Sequence, residues 1–200
     1  MPAQINPTDY QIINIAALYE RQLAIPKDKL KHPFILCLVG LVGSGKTTVV
    51  KPLSEKLSLV RISGDEIRKL LKDHGHGYEL TQDISTIVVR KYLGQGYSIC
   101  SDSDCVTEKT QKILNVLKEE FSLKLVWIYI SPPEEFILNK LSTYQGGWFG
   151  NDALIKNYHE RKPLHKNLNF PFVYTFDTSK ENLSIQIEEA GEIIRKFTKN

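Results

Sequence analysis

Gly40-Leu41-Val42-Gly43-Ser44-Gly45-Lys46-Thr47 closes an apolar run, Phe34-Ile35-Leu36-Cys37-Leu38-Val39, and opens a stretch over 48–57 with helical apolar spacing. The pattern G-x-x-x-x-G-K-[ST] between a strand and a helix is a phosphate-binding loop. Several backbone N–H groups must face one polyphosphate after a sharp turn, and glycines at 40, 43 and 45 permit the backbone angles and close approach that this requires. The helix that follows directs its N-terminus at the anion. Lys46 is placed to reach the β- and γ-phosphates as a point charge, and the Thr47 hydroxyl to ligate the magnesium that bridges them. The nucleotide-binding candidates are therefore Gly40, Val42, Gly43, Ser44, Gly45, Lys46, Thr47 and Thr48. A glycine turn with no ligand is the bland alternative, and three glycines beside a lysine suit phosphate better.

Beyond this loop, short apolar runs alternate with longer amphipathic stretches. The periodicity predicts strands near 59–62, 98–101, 125–130 and 172–176, and helices near 65–72, 82–93, 107–121, 133–141 and 184–197. Together with Phe34–Val39, bounded by Pro33 and Gly40, this predicts a five-stranded parallel sheet in a three-layer α/β/α sandwich. Its ligand crevice lies at the carboxyl ends of the strands. Residues 8–23 form an N-terminal helix with Ile12, Ile13, Ala16, Ala17 and Leu18 at helical spacing. Residues 26–33, with Lys27, Lys29, Lys31 and His32, read as a basic linker. The expected division is 1–32 for helix and linker and 33–200 for the core domain, with a lid near 143–162. Within that lid, Tyr144-Gln145-Gly146-Gly147-Trp148-Phe149-Gly150-Asn151-Asp152 reads as a mobile loop.

A chain of 200 residues, 42% hydrophobic and 24% charged, suits one α/β domain. A net charge of +3 is too weak to announce nucleic acid or a membrane. Cys37, Cys100 and Cys105 are odd in number and sit on or beside buried strands, which fits reduced thiols better than a disulfide framework. Met1-Pro2 is followed by Asn6, Asp9 and Glu20 rather than by a charged n-region leading into an apolar h-region, so no leader is expected, and no apolar run nears the ~18 residues of a membrane span. A cytoplasmic location is expected.

The chemistry should reside just after the strands. Asp65, in Ser63-Gly64-Asp65-Glu66-Ile67-Arg68, is the general-base candidate for an acceptor hydroxyl. Capping of the next helix by Ser63 or Asp65 is the structural alternative. Arg68, one turn on, suits an anionic substrate or a plain exposed helix face. In Ser101-Asp102-Ser103-Asp104, Asp102 is the candidate to hold magnesium together with Thr47, while Asp104 reads as a further carboxylate or a helix cap before Thr107. His74 and His76 form a weak metal pair against a substrate-side loop. Trp148 and Phe149 stack on a base or anchor their loop. Arg161, Lys162, His165 and Lys166 form a basic cluster that either neutralises transferring phosphate or is a solvated helix end. Asp177-Thr178-Ser179 lies near a nucleotide base or caps the last helix.

The phosphate loop, then Ile62-Ser63-Gly64-Asp65-Glu66-Ile67-Arg68, then Ser101-Asp102-Ser103-Asp104-Cys105-Val106-Thr107-Glu108-Lys109, resembles the P-loop kinase-like ATP-binding proteins that include polynucleotide 5′-hydroxyl kinase and zeta-toxin relatives. The resemblance runs from about Phe34 to the C-terminus. It implies ATP and Mg2+ as cofactors, Asp65 as base or hydroxyl-binding residue, Arg68 at the substrate and Asp102 beside the metal. It also implies a post-lid helix at Asn151-Asp152-Ala153 and Tyr158. One departure stands out: relatives carry arginines in or just before the lid, and 141–150 has none, so that Lys140, Arg161 or Lys162 substitutes or transfer is weak. The expected activity is transfer of the γ-phosphate of ATP to a hydroxyl of a small molecule, nucleotide or polynucleotide 5′ end. The alternative is an ATP-binding regulatory module. GTP is disfavoured because Asn139-Lys140-Leu141-Ser142 lacks the aspartate of an N-K-x-D guanine motif.

Overall fold

A computed structural model describes residues 7–144 and 150–199. The chain runs α1 (Pro7–Glu20), β1 (Phe34–Val39), α2 (Lys46–Lys56), β2 (Val60–Ser63), α3 (Gly64–Asp73), α4 (Thr81–Gly94) and β3 (Ile99–Asp104). It continues with α5 (Glu108–Glu120), β4 (Lys124–Ile130), α6 (Glu134–Ser142), α7 (Asn151–Arg161), β5 (Phe172–Phe176) and α8 (Leu183–Lys199). The strands form one parallel sheet of order β2-β3-β1-β4-β5. The alternation of apolar runs and amphipathic stretches thus yields the expected three-layer sandwich.

Strand β1 is buried along its whole length because both faces are covered. Its period of two divides the core. Ile35, Cys37 and Val39 meet α1, α3, α4 and α5, whereas Phe34, Leu36 and Leu38 meet α2 and α8. The three cysteines are free and buried in these layers. Helix α1 packs on α3 and α4 through Ile12, Ile15, Ala16 and Tyr19, a spacing of three, four and seven residues. Ile13 and Ala17, expected on its apolar stripe, are exposed instead, and Tyr19 is the missing anchor. The Tyr19 hydroxyl accepts a hydrogen bond of 2.7 Å from the Ser63 backbone N–H at the end of β2. Burial pushes its phenol well above the ordinary range, so it stays protonated.

Strand β3 extends further than its apolar content predicts, through Ser101, Asp102 and Ser103 to Asp104. It runs in register with β1 to Ser101 opposite Cys37 and resumes with Asp104 opposite Leu38. Asp102 lies out of that register and pairs with Ser63 of β2. Such irregularities re-aim side chains where a ladder would otherwise fix them. Helix α7 takes in Asn151 and Asp152, expected at the end of the 144–152 loop; it buries only Tyr158 and so leaves almost no periodic signal. Together with Ile137 and Leu141 of α6 it forms a small separate cluster on which Leu41 and Val42 pack.

Candidate active site

The phosphate loop turns between β1 and α2 with left-handed backbone at Gly43 (φ 81°) and Gly45 (φ 89°). A Cβ at Gly43 would lie 2.8 Å from Leu141, and one at Gly45 3.0 Å from Thr178, so glycine is required on both counts. Among the described residues, the N–H groups of Val42, Gly43 and Gly45 have no protein acceptor. Lys46, Thr47 and Thr48 form the first turn of α2, whose N–H groups have no intrahelical partner. The buried Ser44 Oγ also has no partner. The loop is therefore a set of converging donors that fits an anionic polyphosphate.

Lys46 Nζ donates to the carbonyls of Gly40 (2.8 Å) and Leu41 (2.9 Å), which holds the ammonium over the loop. Burial pushes its amine below the ordinary value, against the pull of Asp104, Asp102 and Asp65. All three strand-end carboxylates thus act on one ammonium, and Arg161 opposes them. Thr47 Oγ1 donates to Asp102, at 3.3 Å from Oδ1 and 3.4 Å from Oδ2. A hydroxyl and a carboxylate side by side are hard oxygen donors suited to magnesium. Burial raises the Asp102 carboxyl, with Arg61 the main counterweight.

Asp65 stands in the first turn of α3, and its neighbour Ser63, not Asp65, is the cap, accepting from Glu66 N at 3.4 Å. The Asp65 side chain is 73% exposed and paired with Arg68, one turn on. Asp104 does not cap α5 either, because Thr107 does so by accepting from Thr110 N. Instead its Oδ1 accepts from Gly40 N at 3.3 Å, while Oδ2 lies 3.0 Å from His165 Nε2 and 3.6 Å from Arg161 Nη1. Asp104 therefore ties the start of the phosphate loop to the segment after α7.

The expected basic cluster divides. Arg161 faces Asp104, His165 is buried against the same carboxylate, and Lys162 is held by Glu134 at 2.6 Å. Lys140 lies over the Phe136 ring. Thr178 Oγ1 donates to Ser44 O at 2.7 Å, which brings the segment after β5 against the phosphate loop. His74 Nδ1 donates to Leu70 O (2.9 Å) at its own helix end, and the described residues contain no metal-binding cluster of His, Cys, Asp and Glu. Trp148 and Phe149 lie outside the described residues.

A family model described as an AAA domain matches residues 35–143, more than half of the chain. The chain belongs to this family. Over 50 residues it is 42% identical to the cytidine diphosphoramidate kinase of Campylobacter jejuni, a match covering 22% of this chain and 29% of that relative. The matched part is thus under a third of the curated relative's length. The APS kinase of Mycobacterium tuberculosis, solved with AMPPNP and APS, is similar at TM-score 0.57 and 12% identity over 82% of this chain and 98% of that one. A gluconokinase from Sinorhizobium meliloti 1021 is similar at TM-score 0.57 and 13% identity, over 86% and 97%. These structural likenesses give this AAA-domain chain the P-loop kinase fold.

Two site residues escape a reading of the sequence. Arg61 forks Asp102 (Nη1 to Oδ2, 2.5 Å) and Glu66. Its signal was present as a charged residue inside the short strand Val60-Arg61-Ile62-Ser63, since a mostly buried arginine requires acidic partners. Tyr19 carries no comparable mark, because its partner is a backbone group 44 residues away. No described helix is long and apolar enough to cross a membrane.

Proposed function

We propose that the protein is a magnesium-dependent kinase that transfers the γ-phosphate of ATP to a hydroxyl of an acceptor, with a small molecule, a nucleotide or a polynucleotide 5′ end as candidate acceptors. The observation that carries this reading is the donor-lined phosphate loop with Lys46 held over its carbonyls and the Thr47–Asp102 oxygen pair beside it. The loop N–H groups and Lys46 bind the triphosphate, with Arg161 as the cation nearest in kind to a lid arginine. Thr47 and Asp102 are the oxygen donors for Mg2+, which supplies neutralisation of phosphate charge when bound. Asp65 accepts the hydroxyl proton, and the acceptor oxygen bonds to the γ-phosphorus as the bond to the β–γ bridging oxygen breaks and ADP departs. Arg68, released from Asp65 when the acceptor arrives, orients an anionic group on it.

The test is incubation of the full chain with Mg2+ and γ-labelled ATP against nucleosides, sugars, small alcohols and 5′-hydroxyl oligonucleotides, with Lys46→Ala and Asp65→Asn as controls. Label is expected on one acceptor class, lost in both variants, with ATP binding retained in Asp65→Asn. An Asp65→Asn protein of full activity removes Asp65 as base.

A second reading is a nucleotide-binding regulatory module. The Asp65–Arg68 pair favours it, because the candidate base is already engaged. It predicts ATP binding without label on any acceptor.

A further inference from the structure

Arg61 is the charged residue of β2, and its guanidinium divides between two acids of different exposure. The Asp102 side chain is 3% exposed and that of Glu66 is 41% exposed. The carboxylate that faces Thr47 Oγ1 is thus already neutralised through a charge-assisted bond of 2.5 Å. We infer that Arg61 is a positioning residue that sets how tightly the Thr47–Asp102 site takes magnesium, and that Glu66 tunes it by drawing the guanidinium off Asp102. The inference rests on the reading of this site as one for magnesium and nucleotide.

A divalent ion arriving between Thr47 and Asp102 must compete with the guanidinium for one carboxylate and meets its like charge at close range. Arg61 has somewhere to go. A cavity of about 780 Å3 opens at the β2 edge under residues 22–28, and both Arg61 and Glu66 line it. The guanidinium can turn off Asp102 into this space while it keeps Glu66. Arginine suits the task because its planar fork holds two carboxylates at once, which a lysine ammonium does with less geometric definition.

The experiment titrates Mg2+ against ATP binding by calorimetry at one fixed pH. It uses the full chain as wild type, Arg61→Gln, Arg61→Lys, Glu66→Gln and the double variant. Arg61→Gln is expected to lower the half-saturating Mg2+ about tenfold, since a like charge near the ion is removed. Glu66→Gln, which leaves Arg61 wholly on Asp102, raises half-saturation about threefold, and Arg61→Lys follows Glu66→Gln, for the same electrostatic reason. In the Arg61→Gln background Glu66→Gln has no further effect, the signature of an action routed through Arg61.

Thermal melting reports folding of each variant. If Arg61→Gln does not fold, Glu66→Gln and Arg61→Lys carry the test, and unchanged half-saturation in both overturns the inference. An unchanged or raised value in folded Arg61→Gln overturns it as well, as does a Glu66→Gln effect undiminished in the double variant. A wild type that binds MgATP beside indifferent variants leaves the functional reading intact and removes this inference alone. A wild type that binds no nucleotide at any Mg2+ concentration removes both.

Discussion

The two flanks of the phosphate loop are built by different physics. On the β2–β3 flank, carboxylates stand on strand ends fixed by parallel ladders and backed by a continuous core that includes α1. On the α6–α7 flank, a helical pair rests on three buried residues, Ile137, Leu141 and Tyr158, and on ion pairs at its rim. Leu41 and Val42, at the crest of the loop, belong to this second cluster. One flank therefore places charge with the precision of a sheet, and the other covers the loop with little apolar area to hold it there. Low local contact and few buried groups are what an element that opens and closes requires.

The largest effect expected belongs to the residue between the flanks. Lys46→Met should abolish charge stabilisation at the transferred phosphate, a loss of at least ~10²–10³-fold in turnover by the scale of other lost electrostatic donors. The same change should raise the melting temperature. Burial depresses the Lys46 amine, so between its lowered value and the ordinary 10.5 the unfolded chain binds more protons than the folded one. The cost is therefore fully present below the lowered folded value and fades as pH rises from there toward 10.5. A raised melting temperature whose gain shrinks as pH rises in base is therefore expected. A lowered melting temperature at pH 7 would instead mean that the two carbonyl hydrogen bonds outweigh desolvation.

The comparison between flanks breaks or holds on a pair of leucines. Leu36→Ala, in the β1 core, should cost ~2–5 kcal/mol and lower the midpoint of the whole transition. Leu141→Ala removes a side chain of the small cluster, and should speed hydrogen exchange in α6 and α7 while the melting midpoint falls far less. Equal losses of melting temperature would make the helical pair part of the main cooperative unit.

The same division decides what the sequence made legible. The phosphate loop and β1 are local patterns, and each is complete within a dozen residues. Asp102 was legible by position, because a strand-end carboxylate beside β1 has few other places to be. Its partner Arg61 was not, since the pair depends on the β2–β3 register and on the irregularity that frees Asp102 from β1. Asp104 read either as a further strand-end carboxylate or as a helix cap before Thr107, and it binds Gly40, 64 residues back, and His165, 61 residues on. Helix α7 had no amphipathic period to detect, and only the family resemblance placed a helix there. Contacts closed by the fold, rather than by neighbours in the chain, are the ones that sequence pattern leaves open.

Asp104→Asn tests the bond between flanks. It keeps an acceptor for Gly40 N but gives up the charge that faces Arg161 and His165. Charge-assisted contacts of this kind contribute ~1.5–3 kcal/mol, so α7 should exchange faster and the KM for ATP should rise. An unchanged α7 beside a raised KM would assign Asp104 to the loop alone.

The smallest effect expected lies at the rim. Lys162 draws the Glu134 carboxyl below its ordinary 4.5, and both side chains are widely exposed. Exposed pairs contribute little and are screened by salt, so Glu134→Gln should leave the melting temperature unchanged within error. Its mark should appear only as faster exchange at the start of α6 and at the end of α7, and 1 M salt should reproduce it in the wild type. The depressed carboxyl sets the sign with pH: the contribution is present above 4.5 and is lost as pH falls through the lowered folded value. If Glu134→Gln instead released the whole helical pair at low salt, the apolar cluster of Ile137, Leu141 and Tyr158 would not be what holds this flank, and the contrast with the sheet flank would rest on charge alone.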